Sequence, residues 1–330
     1  MEELLSSLIH LMLARQASDA HFVLKEGRLH FQLRCLGKMD DQDDGIFDAK
    51  LFQYLKYVSH LDLGDLARPQ SGNLTRVYHG KKLQFRFSLL CTNEIQTGVL
   101  RLLNQHSFKT LEEICTDPQQ QKVLLSLCQG RQGLSLFSGP TGSGKTTTLH
   151  VLLRTAALCC QKQVITLEDP IEIQDSNYVQ LQINEKSGLT YETGIEQLLR
   201  HDPDVIMIGE IRSSATARMA LRAALSGHSV FTTVHAKTCS EVLTRLLEFG
   251  VEQHEMRQIV SFVSTQRLVM KADREGRMCL YEMLYGDDLN DYFQCGHLPK
   301  SHRTMKQQLL NAFHQGYIAE EGLLDEVSYE

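Results

Sequence analysis

The run Gly139-Pro140-Thr141-Gly142-Ser143-Gly144-Lys145-Thr146, followed by Thr147, constrains this chain more than any other part of it. Glycines at 139, 142 and 144 open backbone angles closed to other residues, so that successive amide N–H groups can turn inward as a nest for an anion. Before the run, Leu134-Ser135-Leu136-Phe137 reads as a buried strand; after it, residues 145–160 carry a helical stripe. A strand, a glycine-rich turn and a helix in this order make a phosphate loop, with the positive end of the helix dipole at the nest. Lys145 is spaced to reach the β- and γ-phosphates of a nucleoside triphosphate, and the Thr146 hydroxyl to ligate its Mg²⁺.

Such a site needs acids. Asp204-Val205-Ile206-Met207-Ile208-Gly209-Glu210 is an apolar strand ending in a carboxylate, although Gly209 stands where many such strands have Asp. Glu210 is therefore the leading catalytic carboxylate, acting on water directly or through a metal-bound water. Residues 164–172 form a second strand that Pro170 breaks, leaving Glu168 and Asp169 at its carboxyl end, where two acids can share a metal or a water. Alone, acids before a proline are common turn formers. His228 and His235 flank the strand 229–233, too far apart for the short helical spacing of a shared zinc site. His235, at the carboxyl end, is placed to sense the γ-phosphate.

A phosphoryl-transfer site also calls for a cation from a neighbouring domain or subunit. Arg86, in Gln84-Phe85-Arg86-Phe87, and Arg101, in Val99-Leu100-Arg101-Leu102, are candidates because each is a large cation inside an apolar strand. Snorkelling or a local ion pair would equally account for either.

Along the chain the pattern changes once. Residues 2–15 and 49–59 read as amphipathic helices, and 21–24, 29–36, 73–78, 82–90 and 97–103 as short strands, with Glu26-Gly27 a turn. Residues 1–103 are thus expected to form a small α+β domain on antiparallel strands. Apolar density falls over 104–118, the expected linker, and Pro118 opens a helix. From 119 to 330 strands alternate with helices, predicting a mainly parallel sheet with crossovers. Ligands of such sheets lie beyond the carboxyl ends of the strands, where the motifs fall.

A length of 330 residues suits two domains, and 42% hydrophobic with 22% charged residues is ordinary for globular chains. The net charge of −6 disfavours a surface built to neutralise nucleic acid, so no direct nucleic-acid partner is expected. Nine scattered cysteines without a CxxC spacing argue against a disulfide framework and a structural zinc. The start lacks a basic region and cleavable core, and no run of 18 apolar residues follows. The expectation is a reduced, cytoplasmic protein that meets the membrane only through a partner.

Read together, residues 139–149, 165–173, 202–212 and 226–236 resemble the type II secretion and type IV pilus ATPases in order and spacing, which implies a RecA-like P-loop ATPase domain over 119–330 with a helical C-terminal part. Residues 17–22, 28–38 and 85–103 resemble that family's smaller, PAS-like N-terminal domain, so the likeness spans nearly the whole chain. It implies ATP and Mg²⁺ as cofactors, with Gly139 to Thr147 cradling the phosphates. Glu168 and Asp169 match the acidic box, Glu210 the Walker B glutamate, His228 and His235 the histidine box, and Arg86 and Arg101 the nucleotide-facing arginines. Thr146, Glu168, Asp169 and Glu210 are then the Mg²⁺ set. It further implies a homo-hexamer at the cytoplasmic face of the cell membrane, coupled to a polytopic inner-membrane platform protein. Two departures stand out: Ser213 follows Arg212 where the family usually has Asp, and the family's Arg-x-Asp-Gly reads Arg34-Cys35-Leu36-Gly37. Only Asp273, Arg274 and Glu275 stand where many members insert a four-cysteine zinc module. This short form is similar to the competence ATPases of Gram-positive bacteria, which drive a pseudopilus for DNA uptake. Alternatives are a pilus-retraction ATPase, a RecA-type nucleic-acid motor, and a ring that binds nucleotide without hydrolysis.

Overall fold

The computed structural model describes all residues except 36, 43–46, 65–67, 93–94, 104–108, 275 and 328–330. Two compact units follow one another in the chain, Met1–Ser107 and Phe108–Glu330.

In the first unit, α1 (Glu2–Ala14) buries Leu5, Leu8, Ile9 and Met12, the i, i+3, i+4, i+7 stripe of an amphipathic helix. Strands β1 (Ala17–Lys25) and β2 (Arg28–Cys35) are joined by Glu26-Gly27, both at positive φ, the turn whose twist matches a hairpin. Next come β3 (Lys38–Gln42), α2 (Ala49–Val58), β4 (Gln70–Tyr78), β5 (Lys81–Cys91) and β6 (Ile95–Leu102). The Asp48 side chain caps α2, accepting from the N–H groups of Lys50 and Leu51. The strands form one antiparallel sheet in the order β3-β2-β1-β6-β5-β4. One face joins α1 and α2 in a single core, at whose centre Phe22, Phe52 and Phe87 meet edge to face at 5.7–6.4 Å. Gly98 is required there: a Cβ would lie 2.6 Å from the Phe87 ring and 2.8 Å from that of Phe52. Strand β3 was not anticipated, because Lys-Met-Asp-Asp-Gln shows no apolar alternation; it is an edge strand, where charge is favoured.

The second unit begins with α3 (Leu111–Ile114) and α4 (Pro118–Gln129), whose first residue is the expected Pro118 and whose cap is Asp117. Residues 104–108 of the expected linker lie outside the described residues. Its later part is built into this unit, since Leu111, Ile114 and Cys115 join the core beneath α4 and the following helix. Then come β7 (Gly133–Ser138), α5 (Lys145–Leu158), β8 (Val164–Glu168), β9 (Val179–Gln182), a 3-10 turn (Glu185–Ser187) and α6 (Tyr191–Leu198). After these run β10 (Val205–Ile208), α7 (Ser214–Leu225), β11 (Ser229–Thr233), α8 (Cys239–Glu248) and α9 (Gln253–Ile259). The unit ends with β12 (Val260–Met270), β13 (Arg277–Tyr285), α10 (Gly286–Cys295), α11 (Met305–His314) and α12 (Glu320–Val327).

The sheet order is β13-β12-β7-β11-β10-β8-β9, parallel throughout except for β13 against β12. Every residue of β7, β8, β10 and β11 is buried, as a parallel sheet covered on both faces requires. Separate apolar cores on its faces contain Ile165, Ile206 and Val230 on one side and Phe137, Val205 and Phe231 on the other. Parallel pairing is what builds the site, because it brings the carboxyl ends of β7, β8, β10 and β11 to one edge.

Candidate functional site

Strand β7 runs directly into the glycine-rich loop, and α5 starts at Lys145. Gly139, Gly142 and Gly144 have φ of 140°, 80° and 88°, values that L side chains rarely adopt. At Gly139 space is closed as well, since a Cβ would stand 2.5 Å from the Gln266 carbonyl oxygen and 2.7 Å from Ser143 Oγ. Gln266, fully buried on β12, anchors the loop by donating from Nε2 to the Ser143 carbonyl at 2.8 Å. Lys145 folds back over the loop, donating to the carbonyls of Gly139 and Pro140 at 2.8 and 2.9 Å. Burial pushes its pKa below the ordinary lysine value, opposed by the Glu172 and Glu210 carboxylates and reinforced by Arg267. Pro140 and Thr141 are exposed; Thr146 and Thr147 are half-buried on the first turn of α5.

Glu210 follows β10 by two residues. Its Oε1 is ion-paired with Arg212, and its Oε2 lies 3.5 Å from His235 Nε2, buried and without a hydrogen bond. His235 sits beyond the end of β11. Ser138, the last residue of β7, holds that segment by exchanging hydrogen bonds with the Ala236 backbone, 2.6 Å to the carbonyl and 2.9 Å from the N–H. His228 is at the opposite, amino end of β11, bound to the Ala223 carbonyl at 3.1 Å and Ser226 Oγ at 3.0 Å, so the two histidines do not converge.

The paired acids at the carboxyl end of β8 also part company. Asp169 is exposed, whereas Glu168 is 3% exposed, its Oε1 accepting from Thr166 Oγ1 at 2.6 Å and Gln180 Nε2 at 3.0 Å. Gly209 has a structural reason: a Cβ there would lie 3.0 Å from the Tyr191 hydroxyl and 3.3 Å from the Leu167 carbonyl. Burial raises the pKa of Tyr191, and Asp169, Glu210 and Glu168 raise it further against Arg212, so its phenol stays protonated among these groups. Sequence reasoning missed Tyr191 and Gln266, since neither lies in a motif of charged or glycine residues. Ser213, where the family usually has Asp, caps α7 by accepting from the Thr216 N–H at 3.2 Å, the task an Asp would perform.

In the first unit, Arg34, Asp19, Arg101 and Arg86 stand in register across β2, β1, β6 and β5. Arg101 Nε donates to Asp19 Oδ1 at 2.6 Å, and Asp19 is 3% exposed, so this cation is held rather than snorkelled. Arg86 is half-buried. Arg34 donates to the Gly37 carbonyl at 3.2 Å; Leu36 lies outside the described residues.

The loop fits a nucleotide's phosphates: its glycines at positive φ and the Lys145 ammonium folded over it are the parts that an anion nest needs. The Thr146 hydroxyl and the orphaned Glu210 Oε2 suit Mg²⁺, which takes one or two protein oxygens and completes its shell with water and phosphate. Among the described residues, no group of three or more His, Cys, Asp or Glu is placed to hold a metal alone.

The type II/IV secretion system protein family model matches residues 1–316. This chain belongs to that family. Competence protein ComGA of Bacillus subtilis is 34% identical over 340 residues, covering 96% of this chain and 95% of that protein. ComGA of Halalkalibacterium halodurans is 41% identical over 232 residues, 70% of this chain and 66% of that one. The crystal structure of the pilus retraction motor PilT with bound ADP matches with a TM-score of 0.75 and 25% identity, covering 97% of this chain and 96% of the motor. With this membership and its phosphate loop, the chain is an ATPase. No described helix is long and apolar enough to cross a membrane.

Proposed function

We propose that this protein hydrolyses ATP to drive assembly of a competence pseudopilus or related pilus-like machine for DNA uptake. The observation that carries the reading is that Lys145, at the start of α5 after β7, Glu210, just past β10, and His235, just past β11, gather at one edge of the sheet. Lys145 holds the terminal phosphates, Thr146 and Glu210 share the Mg²⁺, and Glu168 and Asp169 complete the acidic side of the site. Mg²⁺ supplies neutralisation of the charge on the transferred phosphoryl group. Glu210 polarises the attacking water, directly or through a metal-bound water, while His235, facing the same carboxylate, reports whether the γ-phosphate is present. Arg86 and Arg101 are the candidates for the cation that the transferred phosphoryl group calls for. Six copies form the ring, acting at the cytoplasmic face of the membrane on a polytopic platform protein, with no direct contact to nucleic acid. The likeness to ComGA over nearly the full length supports assembly over other uses of the same site.

The test is ATP turnover by the purified, assembled chain. Lys145→Ala should abolish turnover, and Glu210→Gln should retain bound ATP without cleaving it. A Glu210→Gln protein with unaltered turnover would remove the catalytic assignment. Pilus retraction is the second reading, favoured by the likeness to PilT. Disruption of the gene separates the two, since assembly predicts loss of surface filaments and retraction predicts their excess.

A further inference from the structure

Helix α5 carries Thr146, His150 and Arg154 at i, i+4 and i+8, so the three stack on one face beneath the phosphate loop. That face meets the segment after β8. Arg154 Nη1 donates to the buried Asp175 at 2.8 Å. His150 is 5% exposed; its Nδ1 is hydrogen-bonded to the Tyr178 hydroxyl, and its Nε2 lies 3.5 Å from Glu168 Oε2 with no hydrogen bond made. A buried imidazole nitrogen thus lies beside the oxygen of Glu168 that Thr166 and Gln180 leave over.

Burial, with Asp175 and Glu168 adding to it against Arg154, raises the Tyr178 pKa far enough that the phenol keeps its proton. The tautomer with its proton on Nε2 gives the Glu168 carboxylate a donor and leaves Nδ1 to accept from the Tyr178 hydroxyl. A movement of roughly half an ångström would bring that N–H to full hydrogen-bond length.

We propose that Tyr178 and His150 form a hydrogen-bond relay that fixes the Glu168 carboxylate beside the helix bearing the phosphate loop, which makes His150 a positioning residue for ATP hydrolysis. The inference rests on the reading of Glu168 as part of the Mg²⁺-nucleotide site. None of the motifs that mark that site contains either relay member.

The test uses the full chain with Tyr178→Phe, which removes one hydroxyl, and with His150→Ala and His150→Gln. Three quantities are read: kcat and KM for ATP, and the Mg²⁺ concentration for half-maximal binding of a fluorescent ADP analogue. Tyr178→Phe and His150→Ala should each lower kcat about tenfold, the usual cost of losing a partner behind a metal site, and raise the Mg²⁺ requirement by a comparable factor. KM for ATP should stay within about twofold, and His150→Gln, whose amide can still donate to Glu168, should recover most of the loss. In a Glu168→Gln background, His150→Ala should add nothing further. Tyr178→Phe with both kcat and Mg²⁺ requirement at the wild-type level overturns the relay, as does a His150→Ala loss that persists in full beside Glu168→Gln. Should His150→Ala not fold, the shape-preserving Phe and Gln variants decide. A wild-type chain that binds the Mg²⁺-analogue complex but does not hydrolyse ATP refutes the hydrolysis reading, and its Mg²⁺ titration still judges the relay.

Discussion

Removal of the Glu282 carboxylate should destabilise the second unit severely while leaving the phosphate site untouched. Glu282, on β13, is 1% exposed. Its Oε2 accepts from the Met305 N–H at 2.9 Å, and its Oε1 lies 3.1 Å from His302 Nε2 and accepts from the Cys239 N–H at 3.4 Å. Cys239 and Met305 open α8 and α11, so one carboxylate satisfies an orphan N–H at each helix start and places negative charge at both positive ends. Glu282→Ala strands two N–H groups and an imidazole nitrogen in a dry interior, a loss of about 3–5 kcal/mol. In a domain of this size that lowers Tm by roughly 10 °C. Glu282→Gln keeps the shape but turns an acceptor into a donor, costing about 1–3 kcal/mol.

The pH dependence follows from the same contacts. Burial pushes the Glu282 pKa up, but His302 and the Met305 and Cys239 N–H groups pull it further down, leaving it below the ordinary 4.5. The folded protein therefore takes up this proton less readily than the unfolded chain. The stabilisation is complete above pH 4.5 and is lost as pH falls through the lower folded value. The other titratable groups nearby are His302, Cys239 and Asp288, whose Oδ2 is 4.0 Å from His302 Nδ1. Because the chain has no tryptophan, urea unfolding is best followed by far-ultraviolet circular dichroism, at neutral pH and from pH 6 downward. A Glu282→Ala protein within about 1 kcal/mol of wild type, or a Glu282→Gln protein with the wild-type slope below pH 4.5, would refute the reasoning.

Two further outcomes are expected. Gly98→Ala should cost about 1–3 kcal/mol and lower the first unfolding transition, because Phe52 and Phe87 must yield to the new methyl group; calorimetry of the full chain measures it. Alkylation at pH 8 should modify the exposed Cys159 and Cys295 well before Cys128 and Cys279, whose thiols burial pushes up to about 12; peptide mass mapping over time reads the order.

The parts legible in the sequence were those whose chemistry is local. The phosphate loop announces itself because anion binding needs glycines, a lysine and a threonine at fixed offsets, and β10 because a buried strand must be apolar. Strands β12 and β13 went unread as strands: their partners are β7 and each other, a pairing that no local alternation records. The acids at the carboxyl end of β8 illustrate the same limit. Their position was plain, but that Glu168 turns inward to Thr166 and Gln180 while Asp169 faces outward depends on a segment returning as β9. Arg101 finds Asp19 only when β1 and β6 lie side by side, 82 positions apart in the chain. His150 within Thr148-Leu149-His150-Val151 looks like one more member of a helical stripe.

The stack of Thr146, His150 and Arg154 has a mechanical corollary. From the first to the third is eight residues of unbroken helix, about 12 Å, with no proline or glycine to absorb a bend. A push delivered at the loop end must therefore reappear, nearly undiminished, where Asp175 grips the shaft, so the cradle and the carboxylate beside it travel as a single piston rather than as two parts that need synchronising.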